Sequence, residues 1–192
     1  MKITHAFLIT ALTAVTTPYA FADSSSTPYV GAEIGVVQLT NSFSNIFSLI
    51  TGMDERVFAG TLWGEGALKY GVEGSVMYFN DASLEDPFGF GDRVDFRGYA
   101  FSALGVVKYN FDSGFSLSAK AGPAYLHQQA SSNGMSVSHG QICPEVALGL
   151  GYRFNPQWEA QLTADTILAN ESGSNPVYQT KSLNVGLTYH FA

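Results

Sequence analysis

The chain has 192 residues and a formal net charge of −7, and its few Lys and Arg residues are not clustered, which argues against nucleic acid as a partner. Only 13% of the residues are charged, about half of what is usual for a soluble domain, while 14% are aromatic. This composition predicts that much of the surface does not face water. The single cysteine, Cys143, excludes an internal disulfide framework, and we expect it to be a small apolar filler.

The N-terminal segment has the features of a secretory signal peptide. Lys2 precedes an apolar stretch from Ala6 to Val15, and a small-x-small cleavage motif ends at Ala22. An apolar core of about ten residues is too short to cross a bilayer as a helix. We therefore predict a signal peptide at 1–22 and one domain at 23–192. No later segment has an apolar run of helix-spanning length, so only strands are left to span a membrane.

Eight segments of alternating apolar and polar residues follow in chain order. Successive strand side chains point to opposite faces, so this period of two predicts strands. The first four segments are Pro28 to Leu39, Val57 to Trp63, Leu68 to Phe79 and Asp95 to Phe111. In the fourth, Leu104, Val106 and Val107 blur the alternation, which predicts a bulge near Gly105.

The other four segments alternate cleanly. They cover Phe115 to Gly122, Glu145 to Phe154, Trp158 to Asp165 and Ser182 to Phe191. The connections between all eight alternate in length: tight turns follow Trp63, Phe111 and Phe154, and the predicted long loops are Asn41 to Glu55, Asp81 to Asp92, Ala130 to Val137 and Asn170 to Gln179. The pattern predicts an all-β fold, an eight-stranded antiparallel up-and-down transmembrane β-barrel.

Each clean strand has an aliphatic and aromatic face and a face of small polar residues with isolated charges. We assign the apolar faces to lipid, with aromatic residues from Tyr29 to Phe191 near the strand ends forming interfacial girdles. The charges then lie in a narrow lumen, where they must pair. The predicted lumen network is Glu33, Glu73, Lys120, Glu145, Arg153, Glu159, Asp165 and His190, with Glu73 paired to Lys120 or Arg153. It acts as a structural plug or lines a gated path, and eight strands favour a filled interior.

Three stretches, PYVGAEIGV, LGLGYRFNPQWEAQL and LNVGLTYHFA, resemble the OmpA-like and OmpX-like small outer-membrane β-barrels. The resemblance covers nearly the whole predicted domain. It implies that the last strand, with Tyr189 and Phe191, is the signal read by the barrel-assembly machinery, although Ala192 displaces the terminal aromatic residue by one. We expect only the barrel, without the periplasmic peptidoglycan-binding domain of full-length OmpA.

We expect no catalytic site, cofactor or metal. Ser138 and His139 are adjacent, so they point to opposite faces of a strand, although His127 on the opposing arm could approach His139. The acidic stretch from Asp81 to Asp95 lacks the regular oxygen-ligand spacing of a calcium loop. We interpret it as a solvated surface loop.

The predicted protein is a monomeric barrel in the outer membrane of a Gram-negative bacterium, among outer-membrane lipids and lipopolysaccharide. Its expected role is structural, or surface interaction such as adhesion and host contact through four extracellular loops. The candidate loop contacts are Phe43, Phe47 and Leu49, which are unusually apolar for a surface loop. The alternatives are a narrow ion or small-solute channel and an enzyme that modifies lipid A or phospholipid.

Overall fold

A computed structural model of the chain describes residues 26–40, 50–85, 93–132, 135–169 and 179–191. The predicted signal peptide, the candidate contacts Phe43, Phe47 and Leu49, and most of the predicted fourth loop lie outside the described residues. Within the part of the chain that is described, no helix has the length and apolar character needed to cross a membrane.

Eight strands form one closed antiparallel barrel in which each strand pairs with its neighbours in sequence. The first strand also pairs with the last, from Tyr29 opposite His190 to Thr40 opposite Gln179, so the ring has no open side. The predicted fold class is confirmed. The strands are β1 Ser26–Thr40, β2 Ile50–Trp63, β3 Leu68–Glu85, β4 Arg93–Asn110, β5 Phe115–Ser132, β6 Met135–Arg153, β7 Trp158–Ile167 and β8 Gln179–His190.

Three tight turns, at 64–67, 111–114 and 154–157, lie at one end of the barrel, which we call the turn end. Gly66 and Gly114 have φ angles of 76° and 85° there. Residues with a Cβ rarely adopt these angles, so the glycines allow the chain to reverse within four residues. The opposite end, where the other four connections lie, is called the loop end.

Strand β2 begins at Ile50, so the prediction that Asn41 to Glu55 is a loop was wrong for its last six residues. Three successive charged residues, Asp54, Glu55 and Arg56, concealed the alternation. In the structure Asp54 and Arg56 are buried inside the barrel and Glu55 is exposed outside it. Charge therefore occurs on both faces near the loop end, and the apolar pattern stops there before the strand does.

The loops predicted between β3 and β4 and between β5 and β6 were also too long. Strand β3 runs to Glu85 and β4 starts at Arg93, so much of the acidic stretch from Asp81 to Asp95 is paired strand. Only residues 133–134 separate β5 from β6, where Ala130 to Val137 was predicted as loop. Polar residues on both faces of these hairpins made them look like loops.

The prediction of a bulge near Gly105 was wrong. Pairing of β4 with β3 runs without interruption through Gly105, which lies opposite Val72, and the register shift between these strands falls between Phe79 and Ala82 of β3. Leu104 and Val106 are buried in the barrel interior. They blurred the expected pattern because the lumen accepts some apolar side chains as well as polar ones.

Strands β3 to β6 are longer than the others, with 18 or 19 residues against 10 to 15 in β7, β8, β1 and β2. A tilted strand needs about 9 to 11 residues to cross a bilayer, so these four extend well beyond it at the loop end. We call residues 80–85, 93–98, 127–132 and 135–143 the projecting sheet. Among the described residues at the loop end, 81–85 of β3 pair only with β4, and 135–143 of β6 pair only with β5.

Candidate functional site

The barrel lumen holds the buried charged side chains. Seven of the eight residues predicted for the lumen network are buried there, while Arg153 lies at the turn end with 36% of its side chain exposed. They form three groups of contacts at successive levels along the barrel. Sequence reasoning missed three further buried charged residues, Asp54, Arg56 and Lys108.

The level nearest the loop end is organised by Arg56 of β2, which crosses the lumen. Its Nη1 lies 2.9 Å from Glu145 Oε1 and its Nη2 lies 3.0 Å from Asp165 Oδ2. The hydroxyl of Ser102 also donates to Glu145. One guanidinium therefore neutralises carboxylates from two strands on the far side, using the fork of donors that only arginine offers.

Two more carboxylates of the same level have no cation of their own. Glu33 Oε1 accepts hydrogen bonds from Thr163 Oγ1 at 2.6 Å and from Gln161 Nε2 at 2.7 Å. Asp54 is 1% exposed, and no cation among the described residues lies within ion-pair distance of its carboxylate. The loop-end half of the lumen thus has four acidic side chains, counting Glu145 and Asp165, against the single cation of Arg56.

The middle level contains an ion pair between Glu73 and Lys120. This is one of the two pairings predicted for Glu73. Lys120 Nζ lies 2.7 and 2.8 Å from the two carboxylate oxygens, and the Tyr29 hydroxyl donates to the same carboxylate at 2.9 Å. Lys120 also lies 5.0 Å from the centre of the Phe58 ring. Tyr29 was predicted for an interfacial girdle but is buried in the lumen, because it is in phase with Glu33 rather than with the lipid-facing residues.

The level at the turn end converges on Glu159 of β7. Lys108 Nζ lies 2.6 Å from both carboxylate oxygens, Ser116 donates at 2.8 Å, and His190 Nε2 lies at 3.1 Å. Arg153 completes the group at 3.4 Å. One carboxylate therefore joins β7 to β4, β5, β6 and β8, and Arg153 pairs here rather than with Glu73.

A cluster of apolar side chains closes the lumen above these levels, at the loop end. Its residues are almost completely inaccessible and come from six strands: Val37, Met77, Phe79, Ala100, Ala124, Leu126, Cys143 and Ile167. Cys143 is part of this cluster, in agreement with its expected role as an apolar filler. Lower down, a cavity of about 20 Å³ lies among Glu73, Lys108, Lys120 and His190, with room for about one water molecule.

The histidines considered for chemistry do not come together. His127 is paired with Gly140 and stacks on Tyr99, with ring centres 4.9 Å apart, on the outward face of the projecting sheet. His139 is paired with Gln128, whose side chain is buried on the inward face. Directly opposed residues share a face, so the two imidazoles lie on opposite sides of the sheet. Among the described residues, no three His, Cys, Asp or Glu side chains are grouped closely enough to hold a metal.

The family model for the outer membrane protein beta-barrel domain matches residues 7–191. The chain belongs to this family. The predicted resemblance to small outer-membrane barrels is thereby confirmed, and family membership places the protein in a bacterial outer membrane.

Solved structures with the same fold include three outer-membrane proteins of low sequence identity. Neisserial surface protein A is 16% identical with a TM-score of 0.64, covering 85% of this chain and 97% of its own. The Yersinia pestis attachment invasion locus protein Ail was solved with the heparin analogue sucrose octasulfate. It is 15% identical with a TM-score of 0.56, and the match covers 87% of this chain and 99% of the Ail chain. A major outer membrane protein from Thermus thermophilus is 14% identical with a TM-score of 0.58, and the match covers 87% of this chain and 100% of the Thermus chain. A search of curated proteins gave no match.

Outward aromatic residues mark the membrane boundaries of this outer-membrane barrel. One ring lies at the turn end and a second, on β3 to β5, at the loop end. Tight turns face the periplasm in such barrels, so the loop end faces the cell exterior. The turn-end ring contains Trp63, Tyr70, Tyr109, Phe115, Tyr152 and Trp158, and the loop-end ring contains Tyr78, Tyr99, Phe101 and Tyr125.

The residues predicted as the assembly signal lie beside the periplasmic ring. Tyr189 packs edge-on against Trp158 and against Phe191, with ring centres 5.1 Å apart in both pairs. The backbone N–H of Phe191 donates to Pro28 O at 2.9 Å, so the pairing of β8 with β1 continues to Phe191. The predicted recognition by the assembly machinery remains a prediction.

Proposed function

We propose that the protein is a surface-interaction protein of a Gram-negative outer membrane, and that the projecting sheet is its contact surface. The observation that carries the proposal is the extension of β3 to β6 beyond the outer aromatic ring, from Tyr78 to Glu85 on β3 and from Tyr125 to Ser132 on β5. A rigid hydrogen-bonded sheet held outside the bilayer offers a partner a preformed surface. Binding to it avoids most of the cost of ordering a loop.

The free edge of β6 is the part of this surface best suited to contact. Among the described residues, 135–143 pair only with β5, whereas β7 joins the ladder at Leu168, whose N–H donates to Pro144 O at 2.9 Å. Natural sheet edges are usually protected by charged residues, but 135–143 contain no Asp, Glu, Lys or Arg. An extended polypeptide can add to such an edge through main-chain hydrogen bonds.

The filled lumen supports a contact role over conduction. Three levels of ion pairs and an apolar cluster occupy the interior from the turn end to the loop end. We further propose that the barrel-assembly machinery inserts the protein as a monomer among outer-membrane lipids, and that the protein is not an enzyme.

The similarity to Ail supports a role outside the cell, but we do not propose the same kind of ligand. Sucrose octasulfate, bound in the Ail structure, is a polyanion. The present chain has a net charge of −7 and an acidic stretch in the projecting sheet, from Asp81 to Glu85. Repulsion between like charges therefore favours a neutral or basic partner.

Adherence of cells that express the protein tests the proposal. Residues alternate in the direction of their N–H groups along a strand, so Ser138, in phase with Pro144, directs its N–H to the free edge. On a panel of immobilised matrix and serum proteins, we expect wild-type cells to adhere above vector-only cells. Ser138→Pro should weaken adherence about tenfold through loss of about 1.4 kcal/mol, and the control Ser138→Ala should not. Equal adherence of wild-type and vector-only cells to every surface would refute the proposal.

The hydrophobic contact predicted for Phe43, Phe47 and Leu49 concerns residues outside the described ones and remains a prediction. A double variant, Phe47→Ala with Leu49→Ala, tests it in the same adherence assay. Unchanged adherence of that variant, with loss in Ser138→Pro, would assign the contact to the sheet edge alone.

A further inference from the structure

Two outward charged side chains lie between the aromatic rings, on the two strands that flank β1. Glu55 of β2 is exposed on the outer surface, because its neighbours Asp54 and Arg56 are buried inside the barrel. Lys181 of β8 is also exposed, and its neighbour Ser182 is buried in the lumen. In the part of the chain that the structure describes, every other outward position between the two rings is uncharged. The lipid-facing surface there thus has one acid and one base, with β1 between them.

The two charges lie at the same height in the membrane. Glu55 is eight residues from Trp63 of the turn-end ring along β2 (63 − 55). Lys181 is likewise eight residues from Tyr189, which lies beside that ring on β8 (189 − 181). A strand crosses the hydrocarbon in about 9 to 11 residues, so both charges lie just inside the outer boundary. A charge at this depth is stabilised when an opposite charge meets it.

The strand register keeps Glu55 and Lys181 apart within one chain. Glu55 lies opposite Ile34 of β1, whereas Lys181 lies opposite Gln38 of the same strand. The two are therefore four residues apart along β1 (38 − 34) and two strands apart across it, or about 13 Å and about 10 Å. Neither forms an ion pair with another described residue. Each charge can thus meet a partner from outside the chain.

The surface between the two charges is aliphatic. We call the outward side of β8, β1 and β2 the β1 face, and its central residues are Ile34, Val36, Glu55, Lys181, Leu183 and Val185. The outer aromatic ring lies on β3 to β5, so the β1 face lacks the side chains that anchor a surface at the lipid boundary. Its strands are also the shorter ones, so no projecting sheet obstructs the approach of another barrel.

We infer that the β1 face binds a second copy of this barrel in the plane of the outer membrane. Charge complementarity identifies the occupant. A twofold axis along the membrane normal, passing beside β1, places β2 of each copy opposite β8 of the other. Glu55 of each copy then faces Lys181 of the other at the same height, and the two Val36 side chains meet near the axis. Two ion pairs form in surroundings that screen them poorly.

This dimer goes beyond the proposed contact role. Each chain is a complete barrel, so pairing in the membrane follows the insertion of monomers. The projecting sheets, on β3 to β6, lie on the far sides of the two barrels and stay accessible. A dimer therefore presents two contact surfaces, and simultaneous binding through both strengthens adherence without any new contact.

The test is energy transfer between donor-labelled and acceptor-labelled barrels in phosphatidylcholine vesicles, measured over a range of protein-to-lipid ratios. Like charges would meet at both ends of the interface in Glu55→Lys, so we expect association to weaken at least about tenfold. Lys181→Glu should weaken it to the same extent. The double variant, Glu55→Lys with Lys181→Glu, brings opposite charges together again and should associate within about twofold of wild type.

A cross-linking experiment in isolated outer membranes locates the interface. Under mild oxidation, Val36→Cys should give a disulfide-linked dimer, because the two copies of this position lie near the axis. Ala121→Cys is the control, since Ala121 is exposed and outward on β5, on the other side of the barrel. Wild type serves as the blank, because Cys143 is buried. Altered gel mobility before and after boiling verifies that each variant is folded.

Three results would overturn the inference. The first is wild-type energy transfer no higher than random mixing gives at every protein-to-lipid ratio. The second is association of the double variant as weak as that of the single variants, which would show that the two charges do not face each other. The third is equal cross-linking of Val36→Cys and Ala121→Cys. Ser138→Pro should associate like wild type, so failure of the surface-interaction proposal and failure of this one are distinguishable.

Discussion

Arg56 shows how single residues make the lumen stable. Moving a charge out of water is costly, and the attraction between partners offsets that cost only when the geometry is good and the remaining oxygens are hydrogen-bonded. Arg56 meets the first condition, with Glu145 at 2.9 Å and Asp165 at 3.0 Å. The second condition is met in part, because Arg56 Nε and Asp165 Oδ2 have no hydrogen-bond partner among the described residues. Asp165 Oδ1 additionally accepts hydrogen bonds from Ser182 and Asn184.

Arg56→Met should destabilise the barrel strongly. The variant keeps a side chain of similar length but leaves Glu145 and Asp165 buried without a cation, which is expected to cost about 3 to 5 kcal/mol. Reversible urea unfolding in lipid vesicles measures the change. Arg97→Met is the control, because Arg97 is exposed and forms no buried ion pair, and its expected effect is below about 1 kcal/mol. A loss of less than about 1 kcal/mol in Arg56→Met would contradict this account.

At the scale of the strands, the close packing of β1 against β2 depends on Gly31. The Phe58 ring of β2 lies over this glycine, and a Cβ at Gly31 would come within 2.1 Å of the ring and 2.7 Å of the Leu187 carbonyl oxygen. The ring can rotate away, but the carbonyl belongs to the backbone of β8. Only glycine therefore fits where β8, β1 and β2 meet.

Gly31→Ala should cost about 1 to 3 kcal/mol, the usual range for overpacking a filled interior. Gly74→Ala is the matched control, since the nearest atom to its added Cβ would be the Ser102 carbonyl oxygen at 3.9 Å. Urea midpoints of the two variants, compared with wild type, measure the difference. Equal midpoints would show that Phe58 and β8 adjust without cost.

The strands were predictable from sequence where lipid enforces the alternation, and their ends were not. From Phe115 to Gly122 and from Glu145 to Phe154, one face meets hydrocarbon and the apolar pattern is strict. Beyond the outer boundary both faces meet polar surroundings, so residues 81–85 and 135–137 appeared to be loop although they are paired. The prediction missed the start of β2 for the same reason. It therefore also missed Arg56, which lies one residue before the start of the predicted strand.

The lumen network was predictable in membership but not in its pairings. Period-two counting places Glu33, Glu73, Glu145 and Glu159 inside, because each alternates with lipid-facing residues along its own strand. Which cation meets which carboxylate depends on the stagger of strands around the ring. The sequence allowed a pairing of Arg153 with Glu73, but the strand register places Arg153 opposite Glu159. Lys108 was missed because the phase of β4 was blurred by its inward Leu104.

For the whole molecule, the filled lumen predicts that the barrel does not conduct ions. The apolar cluster at the loop end has no charged member, and the levels below it are crossed by ion pairs from 2.6 to 3.0 Å. In planar bilayers we expect no discrete conductance steps from the wild type, with a porin reconstituted in the same way as the positive control. Reproducible steps that disappear on boiling the protein would favour the channel alternative.

The unequal distribution of charge along the lumen has an electrical consequence. The half near the loop end has Glu33, Asp54, Glu145 and Asp165 against Arg56, a formal −3, while the half near the turn end has Lys108, Lys120 and Arg153 against Glu73 and Glu159, a formal +1 with neutral His190. A ring of strands surrounded by hydrocarbon screens these charges poorly. The barrel is therefore an electric dipole along the membrane normal, with its negative pole towards the cell exterior, where it attracts cations to the loop-end mouth of the lumen.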